Sequence, residues 1–184
     1  TEAAEWGKRL ERVVSKKFAD EHKVKLIAYK KRYTHPEYNF ISCELDNIIA
    51  QSDELVEIKT VNAYAWKKWA NPDEIPQYII IQVMMQLGLS KRKKGWIACL
   101  CGGQKYIEKE VIFDQEFYDM LVEKCVTFWQ MVQDKTPPMA CGDDNETLLA
   151  LHTQSNEQLQ SIEEMNDCVA NLQRTKLEIK ELEK

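Results

Sequence analysis

The sequence lacks the features that would assign it to a membrane, a secreted or a zinc-binding class. No apolar run approaches the roughly 20 residues needed to span a bilayer, and the most apolar stretch is limited to residues 78–83. The first residues mix charged and apolar side chains, so we expect no signal peptide. The six cysteines are scattered and contain no C-x-x-C pair, which excludes the usual zinc spacing and favours free thiols in the cytoplasm.

Negative charge dominates the chain as a whole, but its distribution is uneven. The formal net charge is −5, yet residues 1–109 carry an excess of five positive charges and residues 110–184 an excess of ten negative charges. A basic first part suits a nucleic-acid partner. An acidic tail would repel DNA, and it better suits solvation or a protein partner.

The hydrophobic pattern predicts an α/β (α+β) fold. Apolar residues at spacings of three and four predict helices over 2–22, 63–70, 76–89 and 114–135, and another from about 155 to 184. Alternating or short apolar runs predict strands over 23–33, 39–45, 55–61, 95–101 and 105–113, with 48–50 continuing or following the second. This order predicts a central mixed β-sheet flanked by helices over residues 1–140, followed by a linker and C-terminal helical tail over 141–184.

The predicted strand over 55–61 carries the most informative chemistry. Because alternate residues of a strand share a face, Glu57 and Lys59 project together while Val56 and Ile58 face the core. Asp46, at the end of the preceding strand of a predicted hairpin, can reach the same side. Two carboxylates and the Ile58 carbonyl would form an oxygen site for Mg²⁺, with Mn²⁺ able to substitute. Lys59 could then orient or deprotonate water for phosphodiester hydrolysis and stabilise the transition state.

A Glu-x-Lys pair on a strand is by itself more often a solvated face, but four ordered segments add a family resemblance. They are WGKRLE at 6–11, ELD at 44–46, VEIKT at 56–60 and YIIIQV at 78–83. Over roughly residues 5–140 the chain resembles the YqaJ-like viral recombinases, which include phage lambda exonuclease and belong to the PD-(D/E)XK nuclease superfamily. The resemblance therefore implies a PD-(D/E)XK nuclease core with a C-terminal helical extension.

The resemblance also implies roles for five side chains. Asp46 and Glu57 would be metal ligands, and Lys59 would be the catalytic lysine. Glu11, on the first helix, would support the metal site, and Gln82 would lie near the active site on its own helix. Without the resemblance, Glu11 would be read as an exposed helix residue and Gln82 as a polar residue of a buried helix.

The function implied by the resemblance is an Mg²⁺-dependent exonuclease that digests linear double-stranded DNA from its ends, 5′ to 3′, in phage-type homologous recombination. The resemblance further implies a trimeric ring, a single-strand annealing protein as partner, and a phage- or prophage-encoded protein in the cytoplasm of a bacterial host. Two alternatives stay open: an endonuclease on the same fold, and a non-catalytic DNA-binding or scaffold protein. The intact acidic cluster argues against the second, because unused carboxylates close together repel one another.

Two basic segments are candidate DNA contacts. The run after the Gln82 helix could contact phosphates without reading sequence, and a solvated turn is an equal alternative. It consists of Lys91, Arg92, Lys93 and Lys94. The second segment could stack on or wedge into a DNA end, although packing of its two tryptophans is slightly favoured. Its candidate contacts are Trp66, Lys67 and Lys68.

Overall fold

The computed structural model describes residues 1–29, 31–69, 75–139 and 163–182, apart from the side chains of residues 66–68 and 163–167. Contacts divide the chain into two compact units, Thr1–Pro137 and Pro138–Lys184. The first unit carries all the predicted site residues. None of the described helices is long and apolar enough to cross a membrane.

The first unit begins with a long helix and continues with short strands before the central hairpin. Its elements are α1 (Glu2–His22), β1 (Leu26–Ala28), β2 (Tyr33–Thr34), β3 (Ser42–Cys43), β4 (Asn47–Ile49), β5 (Leu55–Val61), a 3₁₀-helix (Ala63–Lys68), α2 (Gln77–Ser90), β6 (Lys94–Cys101), β7 (Lys105–Ile112) and α3 (Gln115–Asp134). In the second unit the structure describes α4 (Glu163–Leu182).

The central sheet has five strands in the order β1-β4-β5-β6-β7. Strands β5 and β6 are parallel, and the other neighbours are antiparallel. Strands β2 and β3 form a separate antiparallel pair. The predicted fold, a mixed sheet flanked by helices, is confirmed.

Helices cover the sheet on both faces, so two hydrophobic clusters form. On one face, Val14 and Phe18 of α1 pack with Val56 and Ile58 of β5. On the other face, the larger cluster joins buried residues of β5, β6 and β7 to α2 and α3. Strand β5 is consequently buried over its first four residues, polar Glu57 included. This differs from the expectation that only one face of the strand meets the core.

The local signals that delimit the helices are visible in the structure. Asp114 caps α3, since its carboxylate accepts a hydrogen bond from the Phe117 backbone N–H at 2.9 Å. Helices α1, α2 and α3 each end at a lysine in the left-handed conformation: Lys23, Lys91 and Lys135. Such a residue lets its own N–H bond back to the last turn of the helix.

Two predicted strands differ from the structure. The segment 23–33 is divided between β1 and β2, which belong to different sheets. The predicted strand 39–45 reduces to β3, and the segment expected to continue or follow it, 48–50, contributes to a separate strand, β4, which is the hairpin partner of β5. The reason is the turn, where the Ile49 N–H bonds to the Glu54 carbonyl at 2.8 Å and Asp53 takes a positive φ of 59°. This tight closure leaves Asn47–Ile49 as the nearest segment for pairing.

Candidate active site

The candidate site lies where β4 begins and β5 runs beside it. The antiparallel ladder ends with Asn47 opposite Val56, one residue short of Asp46 and Glu57. The sequence analysis placed Asp46 at the end of the hairpin strand. In the structure, Asp46 comes just before that strand begins. It nevertheless reaches β5, because its Oδ2 accepts a hydrogen bond from the Ile58 N–H at 2.8 Å.

Glu57 is a buried carboxylate with a full set of donors. Its side chain is only 3% exposed. Its Oε1 accepts hydrogen bonds from the Lys59 ammonium and from the Gln82 amide, the latter at 2.6 Å. Its Oε2 accepts a hydrogen bond from the Gln86 amide at 2.8 Å. A buried carboxylate is costly unless it is paired and hydrogen-bonded, and these three donors meet that need.

Gln86 is a site residue that the sequence analysis missed. Its amide nitrogen also donates to the Glu44 carbonyl at 3.1 Å, so the side chain joins β5 to the segment that leads into Asp46. Its Oε1 is buried and has no hydrogen-bond partner among the described residues. The available signal was the i, i+4 spacing of Gln82 and Gln86, which places two amides on one face of an otherwise apolar helix.

The environment of Asp46 makes its carboxyl group a weak acid. Burial and then the charge of Glu57 raise the pKa of Asp46 to about 7, with a further contribution from Glu11. The Ile58 hydrogen bond and the charge of Lys59 act in the opposite direction. A carboxyl group whose pKa lies near 7, because it is buried and close to two other acids, is typical of a functional site.

Glu11 reaches the same site from α1. Together with Asp46 it lines a groove of about 690 Å³ between α1 and the sheet edge formed by β1 and β4. We call this cavity the α1 groove. The structure therefore brings Glu11, Asp46, Glu57, Lys59 and Gln82 into one neighbourhood, as the sequence predicted.

The donor atoms of the site fit a hard divalent cation. Asp46 and Glu57 offer carboxylate oxygens on neighbouring segments, and the Ile58 carbonyl lies between Glu57 and Lys59 in the chain. Their mutual repulsion, which raises the pKa of Asp46, would be relieved by a cation. Across residues 1–29, 31–69, 75–139 and 163–182 no three His, Cys, Asp or Glu side chains converge as a metal cluster. Water would complete the coordination, as Mg²⁺ prefers.

The basic run after α2 is only partly available to DNA. Arg92 is buried and donates to the Asp53 carbonyl at 2.8 Å and to the Asp53 carboxylate at 2.7 Å. Lys94 lies between two acids, with the Glu110 carboxylate at 2.6 Å. Lys91 and Lys93 are exposed. Arg92 thus fastens the turn of the β4–β5 hairpin, a structural role that its position in a basic run did not indicate.

The second basic segment forms a 3₁₀-helix over Ala63–Lys68. The side chains of Trp66, Lys67 and Lys68 lie outside the described part of the chain, so their predicted DNA contacts stay predictions. Trp69 is fully buried in the larger hydrophobic cluster. Core packing is therefore its role.

The cysteines among the described residues are all free thiols: Cys43, Cys99, Cys101, Cys125 and Cys168. Burial, together with the charge of Glu57, raises the pKa of Cys43 to about 11. Burial likewise raises the pKa of Cys99 to about 12. Thiols that hold their proton so tightly are poor nucleophiles at neutral pH. Cys141 lies outside the described residues.

A mixed sheet with a buried Glu-x-Lys strand beside an aspartate defines a nuclease-like α/β fold, and comparison with known sequences places the chain in a family. The sequence profile described as the YqaJ-like viral recombinase domain matches residues 1–93. The chain belongs to the YqaJ-like viral recombinase family. Every element that carries the site residues, from α1 through α2, lies within the matched region.

Individual relatives agree with this assignment. The chain is 37% identical over 131 residues to the uncharacterized protein YqaJ of Bacillus subtilis (strain 168), a match that covers 70% of this chain and 41% of that protein. The chain thus spans less than half the length of this curated relative.

Solved structures share the fold at low sequence identity. The alkaline exonuclease LHK-Exo from Laribacter hongkongensis has a TM-score of 0.61 at 15% identity, over 82% of this chain and 75% of that chain. A phage-related exonuclease from Haemophilus somnus 129PT has a TM-score of 0.58 at 13% identity, over 71% of each chain.

Proposed function

We propose that this chain is the catalytic core of a metal-dependent deoxyribonuclease that hydrolyses linear double-stranded DNA from its ends in the 5′ to 3′ direction. The observation that carries the proposal is the environment of Glu57. Three donors hold this buried carboxylate close enough to Asp46 for the two acids to repel one another, and such costly charge arrangements are typical of functional sites. Membership in the YqaJ-like family and the fold shared with two exonucleases support the same conclusion.

The side chains divide the work of hydrolysis. Asp46 and Glu57, with the Ile58 carbonyl, would hold Mg²⁺, for which Mn²⁺ could substitute. A divalent cation at this place would act as a Lewis acid and stabilise the negative charge that develops on the phosphate. Lys59, whose ammonium is held against Glu57, orients the attacking water and stabilises the developing negative charge. Its side chain is 23% exposed, so it can reach a substrate.

Other residues set the position of these groups. Gln82 and Gln86 fix the Glu57 carboxylate through its two oxygens. Glu11 places a negative charge near Asp46 from α1 and would support the metal site without binding the ion directly. Lys91 and Lys93 remain candidate phosphate contacts because they are exposed, whereas Arg92 and Lys94 are already paired.

The biological setting of the proposal rests on family membership. It comprises phage-type homologous recombination in the cytoplasm of a bacterial host, a single-strand annealing protein as partner, and a trimeric ring around DNA. The chain spans less than half of its curated relative, and these properties are therefore part of the proposal.

The test is a cleavage assay on two DNA substrates with Mg²⁺ present. One is a linear duplex labelled at either its 5′ or its 3′ end, and the other is a covalently closed circle. We expect the linear DNA to be degraded with early release of the 5′ label, while the circle stays intact. Chelation of the metal should stop the reaction.

Other outcomes would replace the proposal. Cutting of the closed circle would indicate an endonuclease on the same fold. Early release of the 3′ label would indicate digestion in the 3′ to 5′ direction. A protein that leaves both substrates intact but binds DNA would be a non-catalytic binding module.

A further inference from the structure

The α1 groove extends well beyond the catalytic residues that line one part of it. Its helical wall consists of Glu11, Arg12, Ser15, Lys16, Ala19 and Asp20. These residues repeat at spacings that keep them on one face of α1. From the first to the last of them the helix rises about 14 Å, which is much longer than a single phosphate group needs.

The strand wall gives the groove a direction. Strand β1 pairs antiparallel with β4, so Ala28 lies opposite Asn47, next to Asp46. Lys25 precedes Ala28 by three residues, which places it about 10 Å further along the groove. Arg12 directly follows the helical acid of the site. The groove therefore has one cation near the catalytic residues and another near its far end.

Among the basic residues that line the groove, these two are free to meet a ligand. Lys16 and Asp20 form an ion pair with each other at 2.7 Å, so their charges offset one another. Arg12 and Lys25 are exposed. Within the part of the chain that the structure describes, neither side chain forms an ion pair.

The helical wall also carries a hydroxyl group, that of Ser15, one turn beyond Arg12. Ser15 Oγ accepts a hydrogen bond from the Asn47 amide at 3.0 Å. The hydroxyl hydrogen is therefore directed by a fixed oxygen and can be donated to an anion. Arg, Lys and Ser are the side chains that commonly contact the phosphates of a nucleic acid without reading its bases.

We infer that the α1 groove binds the sugar–phosphate backbone of the DNA strand next to the bond that is cut, with Arg12 and Lys25 each contacting a phosphate. This inference rests on the proposed nuclease function, because that function identifies the acids at one end of the groove as the point of cleavage. The contacts hold the strand in register and do not select a sequence. The length of the groove suits an extended backbone that leads to or from the catalytic site.

The salt dependence of binding tests the inference independently of catalysis. Binding of a short fluorescein-labelled duplex would be followed by anisotropy at several salt concentrations, in Ca²⁺ so that the DNA stays intact. The slope of log K against log salt is negative, and each lost phosphate contact makes it less steep by about 0.9. We therefore expect the double variant Arg12→Gln/Lys25→Gln to reduce the magnitude of the slope by about 1.8, with weaker binding than the wild type.

A matched control removes two charges elsewhere on the same unit. Lys124 and Lys135 are exposed, the first on α3 and the second at its end. The control variant Lys124→Gln/Lys135→Asn should change the slope by less than half as much. Equal slopes for the two double variants would overturn the inference, and so would a wild-type protein that does not bind the duplex.

The inference and the proposed function fail separately. A wild-type protein that binds DNA through the groove but cleaves nothing in Mg²⁺ would reject the nuclease and keep the groove. If the protein cleaves linear DNA but the groove variant keeps the wild-type salt slope, the nuclease function stands and the groove is rejected as the DNA-binding site.

Discussion

Gln86 Nε2 donates a hydrogen bond of 2.8 Å to Glu57 Oε2 in the interior of the protein. Both side chains are only 3% exposed. Because the same nitrogen also bonds to the Glu44 carbonyl, Gln86 couples the strand that carries Glu57 to the segment that carries Asp46. The spacing of the two proposed metal ligands thus depends on a residue of α2 that is not itself a proposed ligand.

Replacement of this amide should weaken metal binding more than folding. Gln86→Met keeps the volume and removes both hydrogen bonds, so Glu57 loses one of its three donors. Loss of an outer partner of a metal ligand typically costs about 10- to 100-fold in metal affinity. We expect the Mg²⁺ concentration for half-maximal cleavage to rise by a similar factor, as measured by titration with Mg²⁺.

A variant of the same helix serves as the control. The Ser90 hydroxyl bonds to the Gln86 backbone carbonyl at 2.6 Å, so Ser90→Ala perturbs the end of α2 without reaching Glu57. It should leave the Mg²⁺ requirement unchanged. If Gln86→Met also needs the same Mg²⁺ concentration as the wild type for half-maximal cleavage, Gln86 does not position the metal ligands.

The raised pKa of Asp46 predicts how stability depends on pH in the absence of metal. The pKa rises from its ordinary value of 3.8 to about 7 on folding, so the folded state binds the proton more tightly. The resulting stabilisation is complete below pH 3.8 and is lost as the pH rises through about 7. The loss is at most about 4 kcal/mol, at about 1.4 kcal/mol per pKa unit.

Asp46→Asn separates this effect from other titrations. The amide oxygen can still accept the Ile58 hydrogen bond, but no charge develops as the pH rises. In metal-free buffer we expect Asp46→Asn to melt at a higher temperature than the wild type at pH 8 and at a similar temperature at pH 4. Mg²⁺ should stabilise the wild type at pH 8 and leave the variant unaffected. A melting-temperature difference that does not change with pH would contradict the raised pKa.

Arg92 should act on stability and not on DNA binding. Its guanidinium donates to Tyr33 Oη at 2.9 Å and to two oxygens of Asp53 at the turn of the β4–β5 hairpin. Arg92→Met would remove these bonds. Because the Asp53 carboxylate is 70% exposed and would be solvated, we expect a total loss of about 1–3 kcal/mol, from the bonds to the Asp53 carbonyl and the Tyr33 hydroxyl. We expect a lower free energy of unfolding in urea.

Lys93, the exposed neighbour of Arg92, provides the comparison. Lys93→Gln should unfold like the wild type, because surface substitutions usually change stability by less than about 0.5 kcal/mol. If Lys93 contacts a phosphate as proposed, the magnitude of the salt slope of DNA binding should decrease by about 0.9 in Lys93→Gln. A stable Arg92→Met variant with a reduced salt slope would reverse the roles assigned to these two residues.

The sequence predicted those elements whose pattern is decided locally. Helix α1 and strand β5 have the predicted bounds, because an apolar stripe and a strict alternation each allow one secondary structure. Asp46, Glu57 and Lys59 also come together, since they lie on neighbouring segments of a hairpin. The segment 48–50 does pair with β5, but periodicity did not reveal that it is separate from 39–45, because the closure of the turn at Asp53 depends on backbone hydrogen bonds.

The remaining differences arise from packing between distant segments. Arg92 resembled an exposed cation because it lies in a basic run, and only the fold places Asp53 and Tyr33 beside it. Gln86 lies in an apolar helix, and only the packing of α2 over β5 brings its amide to Glu57. In both cases a buried polar side chain forms hydrogen bonds with residues that are distant in the sequence.

The most direct test of the proposed chemistry is the rate at which Lys59 variants cleave an end-labelled linear duplex in Mg²⁺. Lys59→Ala and Lys59→Gln should both fold, as circular dichroism melting would show, and should cleave at least about 100-fold more slowly than the wild type. Lys124→Ala, on α3, should cleave at the wild-type rate. Wild-type cleavage by folded Lys59 variants would contradict the assignment of Asp46, Glu57 and Lys59 as the catalytic centre.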